Sequence, residues 1–205
     1  PENIRKFHPN IIVSSTGSAP LLPPIAGLKD RIDNENHNIY SILGMISHIN
    51  DFPKDLEGKK VVVVGGGAVG LDVVEFFADR NADISIVEMM DQIGRDLDPV
   101  SKNDTKTMMK KHNVHQFTKT ALLEVKDSSF LVRSEDEPYE LPFEYGFVCL
   151  GMRAQGQLYQ NLTEEFSSED VEIMNIGDSQ RARRIIDGTQ EGRNILTVLE
   201  QKGYL

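Results

Sequence analysis

Three glycines, Gly65, Gly67 and Gly70, stand at G-x-G-x-x-G spacing with Gly66, Ala68 and Val69 between them. Four β-branched residues, Val61-Val62-Val63-Val64, lead into the glycines, and a second apolar run, Ile84-Ser85-Ile86-Val87, ends on Glu88. Residues of these types in this order could hold the pyrophosphate and adenosine ribose of a dinucleotide. Gly65 permits a tight turn out of the strand. Gly67 lets the backbone approach phosphates with no Cβ in the way, and Gly70 lets the following helix pack closely on the strand. The unpaired N–H groups and dipole of that helix then face the anion. Glu88 follows Gly70 by 18 positions, where a carboxylate accepts hydrogen bonds from ribose hydroxyls. A bare glycine pattern recurs in many turns; here the strand before it, the helix after it and the acid beyond it are all present.

Glu88 also bears on which dinucleotide is held. A carboxylate repels a 2′-phosphate, Met89 and Met90 offer no cation to hold one, and Arg95 sits beyond a predicted loop. NAD(H) is therefore expected over NADP(H).

The elements that must position these residues can be read from the same pattern. From Lys60 the order is strand (60–64), helix (68–80) and strand (83–88), with a further helix from Asp98 and Pro99 to about His112. A short strand follows at 114–117. Residues 121–125, 130–133 and 139–141 come in quick succession, separated by Lys126-Asp127-Ser128 and Ser134–Pro138. Those turns are too short for a parallel crossover, so they predict an antiparallel meander. Phe147–Leu150 returns as a buried strand ended by Gly151. Upstream, residues 11–15 read as a short buried strand and Gly17 to Pro24 as a Pro/Gly loop. Ser41 can cap a helix whose apolar face is Ile42, Leu43, Ile46 and Ile49. Asn50 to Lys60 is polar and reads as a domain boundary. Downstream, residues 171–176 form a strand before Gly177-Asp178, and an amphipathic helix runs from about Arg183 to Lys202, with Gly188 and Gly192 inside it. The expected fold is α/β, a Rossmann-like domain with an antiparallel β-meander over 58–152. Segments 1–57 and 153–205 bracket it without completing a domain between them.

Composition narrows the function classes. The chain has 205 residues, 39% of them hydrophobic and 26% charged, as in a soluble globular protein with a real core. A net charge of −10 argues against nucleic acid and anionic membranes as partners, and Arg181-Ala182-Arg183-Arg184 is too short a basic run to reverse that. No apolar stretch approaches the roughly 20 residues that cross a bilayer. The single cysteine, Cys149, excludes an internal disulfide or a Cys-x-x-Cys pair and suggests the cytosol. The chain opens on Pro1-Glu2 with no initiator methionine, which suggests a piece of something longer.

Other chemistry-bearing residues read more plainly. Cys149 sits among Phe147, Val148 and Leu150 and is expected as a buried core thiol. His112 and His115 have no carboxylate–histidine array around them, so no metal site is expected. Met108 and Met109 read as core filler, Glu75 faces either nicotinamide or solvent, and Arg181, Arg183 and Arg184 either begin a solvated helix, the default, or meet a ligand or further domain. Asp178 could cap the helix after it.

Four pieces occur in the order shown by two-dinucleotide flavoprotein reductases: Ser15-Thr16-Gly17-Ser18-Ala19-Pro20, the glycine loop, Cys149-Leu150-Gly151-Met152-Arg153 and Ile176-Gly177-Asp178. The run Val87-Glu88-Met89-Met90-Asp91-Gln92-Ile93-Gly94-Arg95-Asp96-Leu97 is more specific. It resembles the C-terminal half of the NADH:flavin oxidoreductases related to Old Yellow Enzyme, the enoate and 2,4-dienoyl-CoA reductase group, as does Arg183-Arg184-Ile185-Ile186-Asp187-Gly188. The resemblance implies an NAD(H) domain inserted into an FAD domain, of which segments 1–57 and 153–205 are partial pieces. It implies that hydride passes from NADH to FAD and onward to an unsaturated acid, thioester or similar acceptor. An N-terminal barrel with FMN and a four-cysteine 4Fe–4S cluster would lie outside this chain, as would the first FAD-binding glycine loop. On this pattern Asp178 contacts the FAD ribityl chain and Thr16-Gly17 passes near the flavin's phosphate side. The candidate cofactor-binding set is then Gly65, Gly66, Gly67, Ala68, Val69, Gly70, Glu88, Met89 and Gly151 for NADH, with Thr16, Gly17 and Asp178 on the FAD side. Gln155 or Gly156 stands where the family has proline, and Ser15 where it has alanine.

The reading is an electron-input module in which the cofactors carry the hydride and the protein supplies orientation, so no catalytic acid, base or nucleophile is assigned. Two rivals stand beside it: a fragment of a disulfide reductase of the same architecture, and a non-enzymatic NADH-sensing domain. A methyltransferase could also use a glycine turn and an acidic strand end, but Gly70 and the meander argue against it. Strands near 11–15 and 171–176 would have open edges, making a homo-oligomer plausible.

Overall fold

In the computed structural model, which describes residues 2–135 and 137–204, Lys60–Val64 is the middle strand of a five-stranded parallel sheet. Pro1 and Leu205 lie outside the described residues, as does Asp136 within the expected Ser134–Pro138 turn. The order across the sheet is Ile39–Tyr40, Tyr145–Val148, Lys60–Val64, Asp83–Val87 and His115–Phe117. Helix Ala68–Ala78 links the third strand to the fourth, and helix Pro99–Lys111 links the fourth to the fifth. Asp98 caps the second of these helices, accepting the N–H groups of Val100 and Ser101 at 3.0 and 3.2 Å ahead of a proline in the first turn.

The four valines before the glycines explain why this strand is central. Side chains alternate along a strand, so Val61 and Val63 enter one core and Val62 and Val64 another. The first core holds Val73, Val74 and Phe77 of the helix with Phe52, Ile84, Ile86 and Phe147. Its aromatic centre is tight: the Phe77 ring lies 4.8 Å from Phe147 and 5.2 Å from Phe52, centroid to centroid. The second core holds Leu28, Ile39, Val87 and Val148 with Phe130 and Val132 of the meander and Phe143 just after it. That meander is the antiparallel sheet Ala121–Val125, Ser129–Arg133 and Tyr139–Pro142, with a bulge between Leu122 and Glu124.

The chain divides into two units, Pro20–Gly151, which holds this sheet, and Pro1–Ala19 with Met152–Leu205. The division differs from the expected boundary near residue 57, and the reason is packing. Ile39–Tyr40 pairs with Tyr145–Val148, and Phe52 and Leu56, inside the apparently polar linker, are buried in the first core. The helix Ile42–Ser47 also sits differently from its expected apolar face. Leu43, Ile46 and Ile49 are 46%, 53% and 38% exposed, while Met45 is buried. Asp33 anchors the start of this helix, accepting both Ser41 N–H at 2.7 Å and Ser41 Oγ–H at 2.6 Å. It leaves no space for a side chain at Gly44, whose Cβ would lie 1.8 Å from Asp33 Oδ1. Ser41 does cap the helix, accepting Gly44 N–H at 3.1 Å.

In the second unit Ile11–Ser14 pairs in parallel with Glu172–Asn175, and Ser18–Pro20, inside the expected loop, pairs with Met152–Ala154. The polar stretch after Gly156 forms a helix, Gln157–Glu165, and the last helix runs unbroken over Ile185–Gln201 through Gly188 and Gly192.

Gly70 is where strand and helix approach most closely: a Cβ there would lie 1.9 Å from the carbonyl oxygen of Gly65. Gly70→Ala is expected to cost about 1–3 kcal/mol, because backbone rather than a flexible side chain must give way. Urea denaturation measures it, and an unchanged midpoint would contradict the close approach.

Candidate dinucleotide-binding site

The turn after Val64 uses each glycine differently. Gly65 has φ of 108°, open to glycine, and a Cβ there would lie 2.1 Å from the carbonyl oxygen of Cys149. Gly66 is tied at both ends: its N–H donates to Glu88 Oε2 at 2.6 Å and its carbonyl accepts Gly94 N–H at 2.7 Å. Gly67 is different. It has φ of −79°, which any residue adopts, and nothing lies within 4 Å of where its Cβ would be. Nothing in the protein requires glycine at 67; a side chain there would stand only in open space. Gly67 is also the N-cap of helix Ala68–Ala78 and gives no side-chain cap, so the first-turn N–H groups of Ala68 and Val69 have no intrahelical acceptor.

That open space is a cleft of about 590 Å³. Gly65, Gly67, Ala68, Val69, Glu88, Met89 and Gly151 line it together. Gly66 and Gly70 do not line it; they lie behind the loop and set its shape through Glu88 and Gly65. Among the described residues on the lining, Glu88 is the single charged side chain, and no lysine or arginine joins it. Its Oε1 accepts Met90 N–H at 2.7 Å, and its backbone carbonyl accepts Thr120 N–H at 2.9 Å. Met89 is 69% exposed at the rim.

The facing wall escaped the sequence reading. It consists of Leu21, Pro23, Ile25, Thr120, Ala121 and Leu122, with Cys149 and Leu150 at the base. The bond from Val125 N–H to the Ala26 carbonyl at 2.8 Å holds the 21–26 segment beside the meander. Partners almost a hundred residues apart leave no local pattern; the prolines marked a loop but not its destination.

Thr16, Gly17 and Asp178 lie in the other unit. Thr16 Oγ1 donates to the Gln155 carbonyl at 2.6 Å, and Gly17 has φ of 74°. Asp178 does not cap the last helix, whose N-cap is Arg184. Its Oδ2 accepts Ser18 Oγ–H at 3.0 Å and its Oδ1 accepts Arg183 N–H at 3.1 Å, closing the 178–183 loop. Ser14 Oγ, at the end of its strand, is buried with no hydrogen-bond partner among the described residues. Arg183 is exposed, as expected, and pairs there with Glu191, which also accepts Gly177 N–H at 2.6 Å. Glu75 is exposed and off the cleft, Met109 is buried, and His115 lies 3.2 Å from Asp83 at the surface. Among the described residues no group of three or more His, Cys, Asp or Glu side chains is arranged to hold a metal ion.

Burial, with a smaller contribution from the Asp72 charge, pushes the Cys149 thiol up from its ordinary 9.0 to about 12. Burial disfavours the thiolate, so the folded protein keeps the proton longer than the unfolded chain does. The resulting stability is present below the unfolded-state value and is lost as pH rises toward 12. Cys149 is expected to resist iodoacetamide at pH 8 in the native protein and to react on denaturation; rapid native labelling, followed by mass spectrometry, would contradict this.

A family profile described as pyridine nucleotide-disulphide oxidoreductase matches residues 5–175. The chain is 26% identical over 192 residues to an NADH oxidase of Thermoanaerobacter brockii, covering 93% of this chain and 28% of that protein. It is 25% identical over 230 aligned positions to a metal reductase of Desulforamulus reducens, covering 95% and 32%. A solved 2-naphthoyl-CoA reductase superposes with a TM-score of 0.76 at 20% identity, covering 93% of this chain and 27% of that one, a likeness of fold. The chain thus spans about a third or less of the relatives it matches. A parallel sheet opening on a glycine turn, an acid at the next strand's end and a profile match over most of the length lead to one statement: this chain belongs to the pyridine nucleotide-disulphide oxidoreductase family.

Proposed function

We propose that the 20–151 unit binds NADH and that the chain is the electron-input module of an NADH-dependent flavin oxidoreductase. The observation that carries the proposal is Gly67, a glycine with no conformational or packing reason of its own, whose missing Cβ leaves the cleft open in front of a helix N-terminus. When bound, NADH supplies a hydride and FAD accepts it, the chemistry residing in the cofactors. The chain's residues bind and orient. The Ala68 and Val69 N–H groups and the helix dipole would hold the pyrophosphate. Each Glu88 oxygen already accepts one N–H and retains a lone pair for a ribose hydroxyl. The apolar wall of Leu21, Ile25 and Leu122 would exclude water beside Met89 and Gly151.

FAD would meet the other unit at Thr16, Gly17 and Asp178. Asp178 keeps acceptor capacity on both oxygens, and the orphaned Ser14 hydroxyl supports a polar ligand at that strand end. The rest of the proposal concerns the whole polypeptide. An N-terminal barrel with FMN and a 4Fe–4S cluster would lie outside this chain, and the acceptor would be an unsaturated acid, thioester or similar molecule. This part rests on the resemblance of the 87–97 run and on the share of each relative that the chain spans. A cytoplasmic setting rests on the lone cysteine; no described helix is long and apolar enough to cross a membrane. Self-association through the free edges of Ile11–Ser14 and Glu172–Asn175 belongs to the same proposal.

Gly67→Ala separates binding from folding. Stability is expected to hold within about 0.5 kcal/mol, while the NADH Kd rises about tenfold or more, equivalent to about 1.4 kcal/mol. Calorimetric titration measures the second, and NADH binding unchanged by the substitution would defeat the proposal. With Glu88 alone charged on the lining, NADPH is expected to bind at least about tenfold more weakly than NADH. Equal Kd values would remove Glu88 from that role.

A further inference from the structure

Glu88 makes contacts that ribose recognition does not need. Its two oxygens accept two backbone N–H groups, Gly66 at 2.6 Å and Met90 at 2.7 Å. Gly66 is then fixed from its other end by Gly94, whose N–H donates to the Gly66 carbonyl at 2.7 Å. None of these bonds belongs to a sheet ladder or a helix. Together they tie the segment after Asp83–Val87 to the turn after Lys60–Val64. The fit between Gly66 and Glu88 is close. A Cβ at Gly66 would lie 3.1 Å from Glu88 Oε2 and 3.1 Å from Ile93 Cγ1, a tight contact in which one of these side chains would have to shift by a few tenths of an ångström, while the Gly66 backbone is not left-handed.

Resting on the reading of the cleft as a dinucleotide site, we infer that Glu88 is the positioning residue of the glycine turn, holding the Gly66–Gly67 backbone in place with or without a ribose hydroxyl to accept. Cofactor preference and loop geometry are therefore coupled in one side chain. A substitution at 88 that makes room for a 2′-phosphate also releases the Gly66 N–H. Chemistry at the carboxylate sharpens the point. Glutamine has the same shape but one acceptor oxygen, so it can satisfy Gly66 or Met90 and not both, and its NH₂ group faces the remaining donor.

The test uses the full 205-residue chain, Glu88→Gln and Glu88→Ala. Amide hydrogen exchange of the ligand-free proteins is followed by NMR. Protection of Gly66 or Met90 is expected to fall about tenfold or more in Glu88→Gln, and of both in Glu88→Ala, a bond to a charged acceptor being lost. The amides of Val62 and Val63 in the central strand are expected to keep their protection, which reports that the fold is intact. A carboxylate that only meets ribose would leave all four amides unchanged, and that result overturns the inference. A second arm titrates NADH and its 2′,3′-dideoxyadenosine analogue. Glu88→Gln is expected to weaken both by about tenfold; a penalty confined to NADH would also overturn it. Absence of binding to the unsubstituted chain would sink the dinucleotide reading instead, while the exchange arm still decides what Glu88 holds.

Discussion

Helix Ala68–Ala78 can begin where it does because the Gly65 carbonyl occupies the place a side chain at residue 70 would need. That approach brings the helix down onto the middle strand of the sheet and turns its N-terminus toward the cleft. The rest of the larger unit follows from it. Val73, Val74 and Phe77 reach the sheet at a depth where they meet Val61, Val63 and Phe147, and a helix held farther out would leave those rings apart. Gly65 meets the same limit on its other side, where the Cys149 carbonyl leaves no room for a Cβ.

Parallel pairing then gathers the chemistry. In a parallel sheet all strands end at the same edge, and ligands of such folds lie beyond those ends. Here the cleft takes Val64 and Gly65 from the third strand in order, Val87, Glu88 and Met89 from the fourth, and Cys149, Leu150 and Gly151 from the second. Helix Ala68–Ala78, which carries the chain from the third strand to the fourth, begins in the cleft itself. The three inner strands are largely buried on both faces, as parallel strands are, so their ends are held firmly and the loops that leave them are presented to a ligand.

The smaller unit is built on different terms. Among its described residues the buried side chains are Ser14, Leu162, Phe166, Ser179 and Leu199, a small core under a two-stranded sheet. A sheet of that size is marginal by itself. Much of what organises it is polar: Arg5 with Glu165 and Glu169, Arg183 with Glu191, and Asp178 with Ser18. Exposed ion pairs of this sort are screened by solvent and contribute little to stability, so they fix geometry more than they stabilise.

Local pattern alone determined the glycine turn, its flanking strand and helix, the acid after Asp83–Val87, the Asp98 cap and the meander. Each depends on neighbours within a turn or a hairpin, and the physics of helix starts and strand alternation acts over that range. The division at residue 19 rather than 57, the burial of Phe52 and Leu56, and the exposure of Leu43 and Ile46 needed the tertiary structure. So did the wall of Leu21, Pro23 and Ile25 and the double hold of Glu88 on Gly66 and Met90. These depend on which distant segment an element packs against. Hydropathy can mark a residue as able to be buried, but only the folded partner decides whether it is.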